Sequence, residues 1–248
     1  MKRNQLYDVP RKLSISWQIN IVKSETLPHS CSLVSDNIRR LTLLDTLELS
    51  MGPSSKSTTP AMELVIRDLR LPNLRHCLLS YCTLKPSVMC AFIASHSGLR
   101  YLAVLEISES VMELVPHDAL PELSIFYGTP SKAAFILTGR PVHHLLLAGR
   151  ERDLSNKNLS RMALTSVPLR ILDLSAMYVS PSVLRDIGAH LPTIEIFRVN
   201  LRLDQTGSIV SHPYFHLFCY DGSHLEKRNQ NSRFFAEIRF FLRGTYPV

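Results

Sequence analysis

Glycine is scarce in this 248-residue sequence, with nine residues in all, so it has little of the loop backbone that cradles phosphate groups. No G-x-S-x-G, H-E-x-x-H, Walker loop or post-strand G-x-G-x-x-G occurs, which leaves enzymatic activity and cofactor binding unexpected. No stretch approaches the roughly 18 consecutive apolar residues that span a bilayer. The opening MKRNQLYDVPRKLSISWQINIV is charged but lacks the continuous apolar run of a secretory signal. The expected location is therefore cytoplasmic or nuclear, without a membrane partner. The five cysteines (Cys31, Cys77, Cys82, Cys90 and Cys219) form an odd set with no C-x-x-C pair, which fits reduced, mostly buried thiols better than a disulfide framework. In such a compartment the sequon Asn158-Leu159-Ser160 carries no glycan.

What is present suits a folded protein, with 45% hydrophobic and 20% charged residues. The net charge of +7 and pI near 9.3 favour an acidic partner, although Lys and Arg are scattered in ones and twos. Only the C-terminal piece, with Lys227, Arg228, Arg233, Arg239 and Arg243, is locally basic. A nucleic-acid or other anionic-surface binder acting through that piece is the alternative functional reading, and its affinity would fall steeply with salt.

The leucines carry a repeat. The pattern L-x-x-L-x-L, with conservative exchanges, appears as Leu44/Leu47/Leu49, Leu74/Cys77/Leu79, Leu99/Leu102/Val104, Leu123/Phe126/Gly128, Val142/Leu145/Leu147, Leu169/Leu172/Leu174 and Ile194/Phe197/Val199. Successive first positions lie 30, 25, 24, 19, 27 and 25 residues apart, centred on the period of leucine-rich repeats. The last two residues of each triplet are two apart, so an extended strand points both into the core, and the first enters from the preceding turn. A short strand cannot bury such a face alone, so neighbouring turns must stack into a parallel sheet with return segments behind it. The expected fold is α/β, an irregular leucine-rich-repeat solenoid with parallel strands on the concave face and helices or turns behind. An irregular α/β domain with coincidental motifs is the alternative.

Return helices are expected at Pro86–His96, Pro130–Leu137, Leu154–Ala163 and Pro181–Leu191, three of them opening on proline, whose missing N–H is harmless there. Ser180 is the expected N-cap of the last. Cys82 stands where repeats place Asn or Cys to satisfy the turn, whereas Gly52, Ile107, Ser131, Arg150, Met177 and Arg202 occupy that place elsewhere. Ile38/Leu41/Leu43 competes with Leu44/Leu47/Leu49 for one turn, and Phe215/Phe218/Tyr220 offers a further strand. The segment 233–242, RFFAEIRFFL, reads equally as strand or amphipathic helix. Ser54–Thr59, between Pro53 and Pro60, reads as a polar loop. This divides the chain into an N-terminal segment 1–37, degenerate repeats 38–222 and a basic C-terminal segment 223–248.

The stretch Leu120–Leu147 contains Leu120-Pro121-Glu122-Leu123, then Phe126 and Tyr127, Gly128-Thr129-Pro130, Ala133-Ala134 and Gly139-Arg140-Pro141-Val142. With LPNLRHCLLSYC (Leu71–Cys82) and GLRYLAVL (Gly98–Leu105), it resembles the repeat region of F-box-like proteins abundant in mushroom-forming fungi, over roughly Leu41 to Asn200. The resemblance implies a substrate receptor, in which an N-terminal F-box docks on the adaptor of an SCF-type ubiquitin ligase and the repeats hold the target. The partners it implies are an unknown target protein and the SCF adaptor and cullin. No F-box is recognisable in the N-terminal segment, which offers only LPHSCSLV (Leu27–Val34) and the β-like LSISWQINIV (Leu13–Val22).

Metal binding is not expected. His212, His216, Cys219 and His224 have zinc-like spacing, but Pro213, Tyr214, Phe215, Phe218 and Tyr220 among them fit a buried strand as well. His143 and His144 fall on opposite faces of a strand. Cys77 and Cys82 read as packing or turn-satisfying thiols. The binding surface consists instead of positions between the inward ones: Glu48, His76, Leu78, Tyr101, Ile125, Tyr127, His144, Leu146, Ile171, Asp173, Ile196 and Arg198. A band of Leu, Ile and Tyr with few charges suits protein recognition, in which aromatics anchor and polar groups set register. The N-terminal segment or C-terminal tail covering that band is the competing expectation.

Overall fold

The computed structural model describes residues 10–17, 27–51, 59–80, 84–105, 114–202 and 233–239. The chain divides into two compact units, residues 1–124 and 125–248, a boundary that no shift in composition signals. Among the described residues no helix is long and apolar enough to cross a membrane.

In the first unit, β1 (Lys12–Trp17), β2 (Thr46–Met51), β3 (His76–Ser80) and β4 (Tyr101–Leu105) pair in chain order, all parallel. The return segments contain α1 (Leu27–Arg39), α2 (Thr59–Ile66) and α3 (Pro86–Ala94), with α2 packed against both α1 and α3. In the second unit, β5 (Ile125–Gly128), β6 (His144–Ala148), β7 (Ile171–Val179) and β8 (Ile196–Arg202) are again parallel and in order. They alternate with α4 (Pro130–Ile136), α5 (Asn156–Met162) and α6 (Pro181–His190). β9 (Arg233–Arg239) pairs antiparallel with β8, which resolves the ambiguous 233–242 segment as strand over those residues.

Each unit is thus α/β with parallel strands and helical returns. All seven triplets turn inward: Leu47, Leu49, Leu102, Val104, Phe126, Leu145, Leu172, Leu174 and Val199 are among the fully buried residues. At the contested turn, Leu44 is 0% exposed and Leu43 is 49% exposed, so the Leu44 set supplies the strand. An eighth turn, Pro10/Leu13/Ile15, has the same spacing, with Leu13 and Ile15 in register with Leu47 and Leu49. The N-terminal segment therefore contributes a strand and α1 to the first unit rather than standing apart from it.

A shared backbone device sets the register. The N–H groups of Asp45 and Thr46 donate to the Arg11 carbonyl, those of Arg75 and His76 to Asp45, and those of Arg100 and Tyr101 to Arg75. In the second unit Arg170 and Ile171 donate to His143, and Glu195 and Ile196 to Arg170. β2, β3, β4, β5 and β8 begin after a turn in which the first triplet residue donates three residues back, as Leu74 does to Leu71 (3.0 Å), Leu123 to Leu120 (3.1 Å) and Ile194 to Leu191 (3.4 Å). Pro72, Pro121 and Pro192 occupy the second turn position, where a fixed φ suits the turn. The recurring L-P-x-L phrase is therefore turn chemistry.

Helix ends follow local rules with two departures. Thr129 caps α4, its hydroxyl accepting from the Lys132 N–H, and Ser155 caps α5 by accepting from Asn158. α5 consequently begins at Asn156, after a 3-10 turn at Glu151–Asp153, rather than at Leu154. Ser180 has the extended backbone of an N-cap but makes no side-chain cap bond. Its hydroxyl and N–H both donate to the Glu151 carboxylate, a charged acceptor that orients the side chain. Gly139, at φ +73°, ends the α4 region in a conformation that costs other residues energy. Thr59, read as loop, is the first residue of α2, while 52–58 lie outside the described residues.

One turn carries histidine where others carry leucine. His96 is buried, its ring 4.4 Å from that of Phe92. Its Nε2 accepts from the Leu71 N–H (3.1 Å), which leaves Nδ1 to donate to the Phe92 carbonyl (2.7 Å). Burial lowers its pKa below the ordinary 6.5, the Phe92 carbonyl opposes that shift, and Arg70 adds to it. Below pH 6.5 the unfolded chain therefore binds a proton that the folded chain refuses, and stability falls with falling pH until the depressed folded value is reached. Urea midpoints between pH 7.5 and 5.5 should show this slope, and His96→Gln should flatten it; an unchanged slope would show that the ring does not titrate this way.

Candidate sheet-face binding surface

Strand alternation puts the outward residues of each unit into rows. In the first unit, Lys12, Thr46, His76 and Tyr101 are in register, as are Ser14, Glu48, Leu78 and Ala103. His76 is exposed and Leu78 and Tyr101 are half-buried, whereas Ala103 is buried. The His76 and Tyr101 rings lie 6.2 Å apart at 38°. Lys12 Nζ sits 2.6 Å from Glu48 Oε1. That bond is the main reason the Glu48 carboxyl lies below its ordinary pKa, against a smaller opposing effect of burial, with the Ser14 hydroxyl assisting. Around these groups the face dips into an open depression of about 330 Å³.

In the second unit one row reads Ile125, His144, Ile171 and Ile196, and the next reads Tyr127, Leu146, Asp173 and Arg198. All are half-buried except Asp173, which is 9% exposed. Asp173 is drawn down because its Oδ1 accepts from the Ser175 N–H (2.9 Å) and its Oδ2 from Arg198 (3.4 Å). The register shift between β6 and β7 follows directly after it, a bulge that re-aims side chains at the strand's end. His144 Nε2 is the one buried side-chain polar atom among the described residues without a hydrogen-bond partner. Burial lowers the His144 pKa most, Arg198 and His143 lower it further and Asp173 opposes them, so the imidazole faces this surface uncharged at neutral pH. His143, just before β6, is exposed.

The expected binding residues thus gather on two sheet faces: Glu48, His76, Leu78 and Tyr101 on one, and the remaining eight on the other. Reading the sequence passed over Lys12 and Ser14, whose strand opens on Pro10 rather than an aliphatic residue. The four residues spaced like zinc ligands, together with Cys82, Lys227, Arg228, Arg243 and the Phe215–Tyr220 strand, lie outside the described residues, while Arg233 and Arg239 lie on β9. Among the described residues no group of three His, Cys, Asp or Glu is placed to hold a metal ion. Cys31, Cys77 and Cys90 form no disulfide, and burial raises the pKa of Cys31 and Cys90, which suppresses the reactive thiolate.

The phrases that carry the family resemblance have structural duties. Leu120–Leu123 is a strand-initiating turn, Thr129-Pro130 starts α4, and Ala133 and Ala134 are buried. Gly139 and Arg140 finish α4, with the Arg140 guanidinium donating to the Ile136 carbonyl at 2.6 Å. The chain matches no family model and no curated protein.

Proposed function

We propose that the chain is a leucine-rich-repeat protein that acts in the cytoplasm or nucleus by binding another polypeptide across its outward sheet faces, as the substrate-recognition part of an F-box-like ubiquitin-ligase receptor. The supporting observation is the register itself. It collects Ile125, Ile171, Ile196, Leu146 and Tyr127 into one half-buried band whose fixed charges, Asp173 and Arg198, bond to each other. Such a band offers apolar anchors with one polar rail, the composition of a protein-binding hot spot. Its two charged groups bond to each other rather than standing around a reacting atom, and the His144 Nε2 on the same face has no hydrogen-bond partner among the described residues.

The test is affinity purification of the tagged chain from its own cells, with mass spectrometry of what is retained. Recovery of the ligase adaptor and cullin with further proteins is the expected result. The double variant Leu146→Arg/Ile171→Arg should lose the further proteins at an unchanged thermal midpoint. Retention of all of them by the variant would refute the sheet-face reading, and absence of adaptor and cullin would refute the ligase role alone.

A further inference from the structure

The depression on the first unit's sheet face has a chemistry of its own. Resting on the sheet-face reading, we infer that it is an anchor pocket for one aromatic side chain with a hydrogen-bond donor at its tip, a tyrosine or tryptophan of the bound polypeptide. Its volume of about 330 Å³ falls at the small end of binding clefts and suits a single large side chain better than a whole ligand. Leu78 on β3 forms the floor, with Glu48 on β2 to one side and Tyr101 on β4 to the other. Tyr101 stands beside His76, two residues back from the position opposite Leu78, so two strand spacings and two residues of rise put the walls diagonally about 12 Å from each other, room for a ring laid over Leu78. His76 and Tyr101, with ring centroids 6.2 Å apart, supply the aromatic wall, against which another ring packs offset or edge-on.

Charge selects the occupant. Lys12 and Glu48 cancel each other at 2.6 Å, so neither a cationic nor an anionic side chain gains an unopposed counter-charge. A carboxylate offers about four acceptor positions, and Glu48 commits positions to Lys12 and to the Ser14 hydroxyl. A neutral donor on the far side of a ring, a phenol O–H or an indole N–H, meets what remains. The Thr46 hydroxyl donates to Asp45 at 2.7 Å and is a neutral acceptor, weaker than the Glu48 carboxylate, so Glu48 receives the tip. A plain phenyl ring satisfies the floor and wall and leaves the carboxylate without that donor, so the pocket distinguishes the two.

The experiment is nuclear magnetic resonance titration of the full-length chain with three probes: p-cresol, toluene and n-butylguanidinium. Expected are millimolar binding of p-cresol, shifts centred on Leu78 and Tyr101, and affinity about ten-fold or more above that of toluene, as a hydrogen bond to a charged acceptor provides. Glu48→Ala should bring p-cresol down to the toluene value, and Leu78→Glu should abolish binding of both and reduce capture of the protein partner. Equal affinity for p-cresol and toluene, tighter binding of n-butylguanidinium, or no shift at Leu78 and Tyr101 would each overturn the pocket; the wild-type comparison needs no variant to fold. A null result with p-cresol, while Leu146→Arg/Ile171→Arg still loses its partners, would sink the pocket and leave the sheet-face reading standing. Capture unaffected by either set of variants would remove both.

Discussion

Leu145→Ala should lower the free energy of unfolding by about 2–5 kcal/mol, whereas Leu146→Ala, one residue on, should change it by under about 1 kcal/mol. Both residues are leucine, both lie in β6, and both are flanked by leucine or histidine, so composition and local propensity do not separate them. Leu145 is 0% exposed, in register with the buried Phe126 and Leu172, and truncating it removes apolar surface and leaves a cavity that close-packed neighbours fill only partly. Leu146 is half-buried on the outward face between Tyr127 and Asp173, where a shortened side chain is replaced largely by water. Urea denaturation of the two variants measures the difference. Comparable losses would mean that the sheet is covered on both sides or that β6 is shifted by one residue, and either result would remove the outward face as a binding surface.

Arg140→Leu should destabilise by about 1.5–3 kcal/mol despite replacing a charge with an apolar group at a buried position. Arg140 is 1% exposed, and its guanidinium donates at 2.6 Å to the Ile136 carbonyl, one of the last-turn carbonyls of α4 that have no partner within the helix. A cation is also favoured at a helix C-terminus by the peptide dipoles. Leucine fills much of the space but leaves that carbonyl without its donor, and desolvated acceptors are costly. Arg140→Lys retains a charge and a donor but not the planar fork, so it should fall between the two. If Arg140→Leu equals or exceeds the parent in thermal stability, the helix-end bond contributes nothing net, as holds for some buried charged groups.

The two expectations bear on how the family-like phrases are to be understood. Leu120-Pro121-Glu122-Leu123 and Gly139-Arg140-Pro141-Val142 initiate strands and finish a helix, so a shared pattern of this kind follows from shared turns. On the function proposed above, target choice would rest on the positions between them, such as Tyr127, His144 and Leu146, which the pattern leaves open.

The inward half of β2 to β8 was legible from spacing alone, because side chains two apart on a strand share a face and the solvent penalty for exposing leucine is the same in every turn. The proline-opened helices were legible for a similarly local reason, since proline fixes φ where the first helical turn needs it. Pro10/Leu13/Ile15 escaped notice because its first residue is not aliphatic and only pairing with β2 shows it to be a strand of the same sheet. Helices α1 and α2 went unread although Pro28 and Pro60 stand at their second positions, because the strand before α1 was not recognised as a turn of the repeat and the polar run Ser54–Thr59 overlaps the start of α2. The 233–242 segment was undecided because its alternation serves either period; the edge of β8 makes residues 233–239 a strand by offering backbone partners. Ser180 stands at the N-cap, as its place before Pro181 implies, but its side-chain partner Glu151 was not legible because it lies 29 residues away.

By itself, then, the sequence determined the period, the inward residues, the alternation of strands with helical returns and the proline-opened helix starts, all consequences of interactions within one repeat. Only the tertiary structure decided which outward residues stand side by side, that Asp173 and Arg198 pair, that Lys12 and Glu48 close one side of a depression, and that His96 and Arg140 are buried. The pairings depend on register between strands 25 or more residues apart in the chain, and the two burials on what packs around each turn; nothing in the spacing of a single repeat specifies what its neighbour puts opposite.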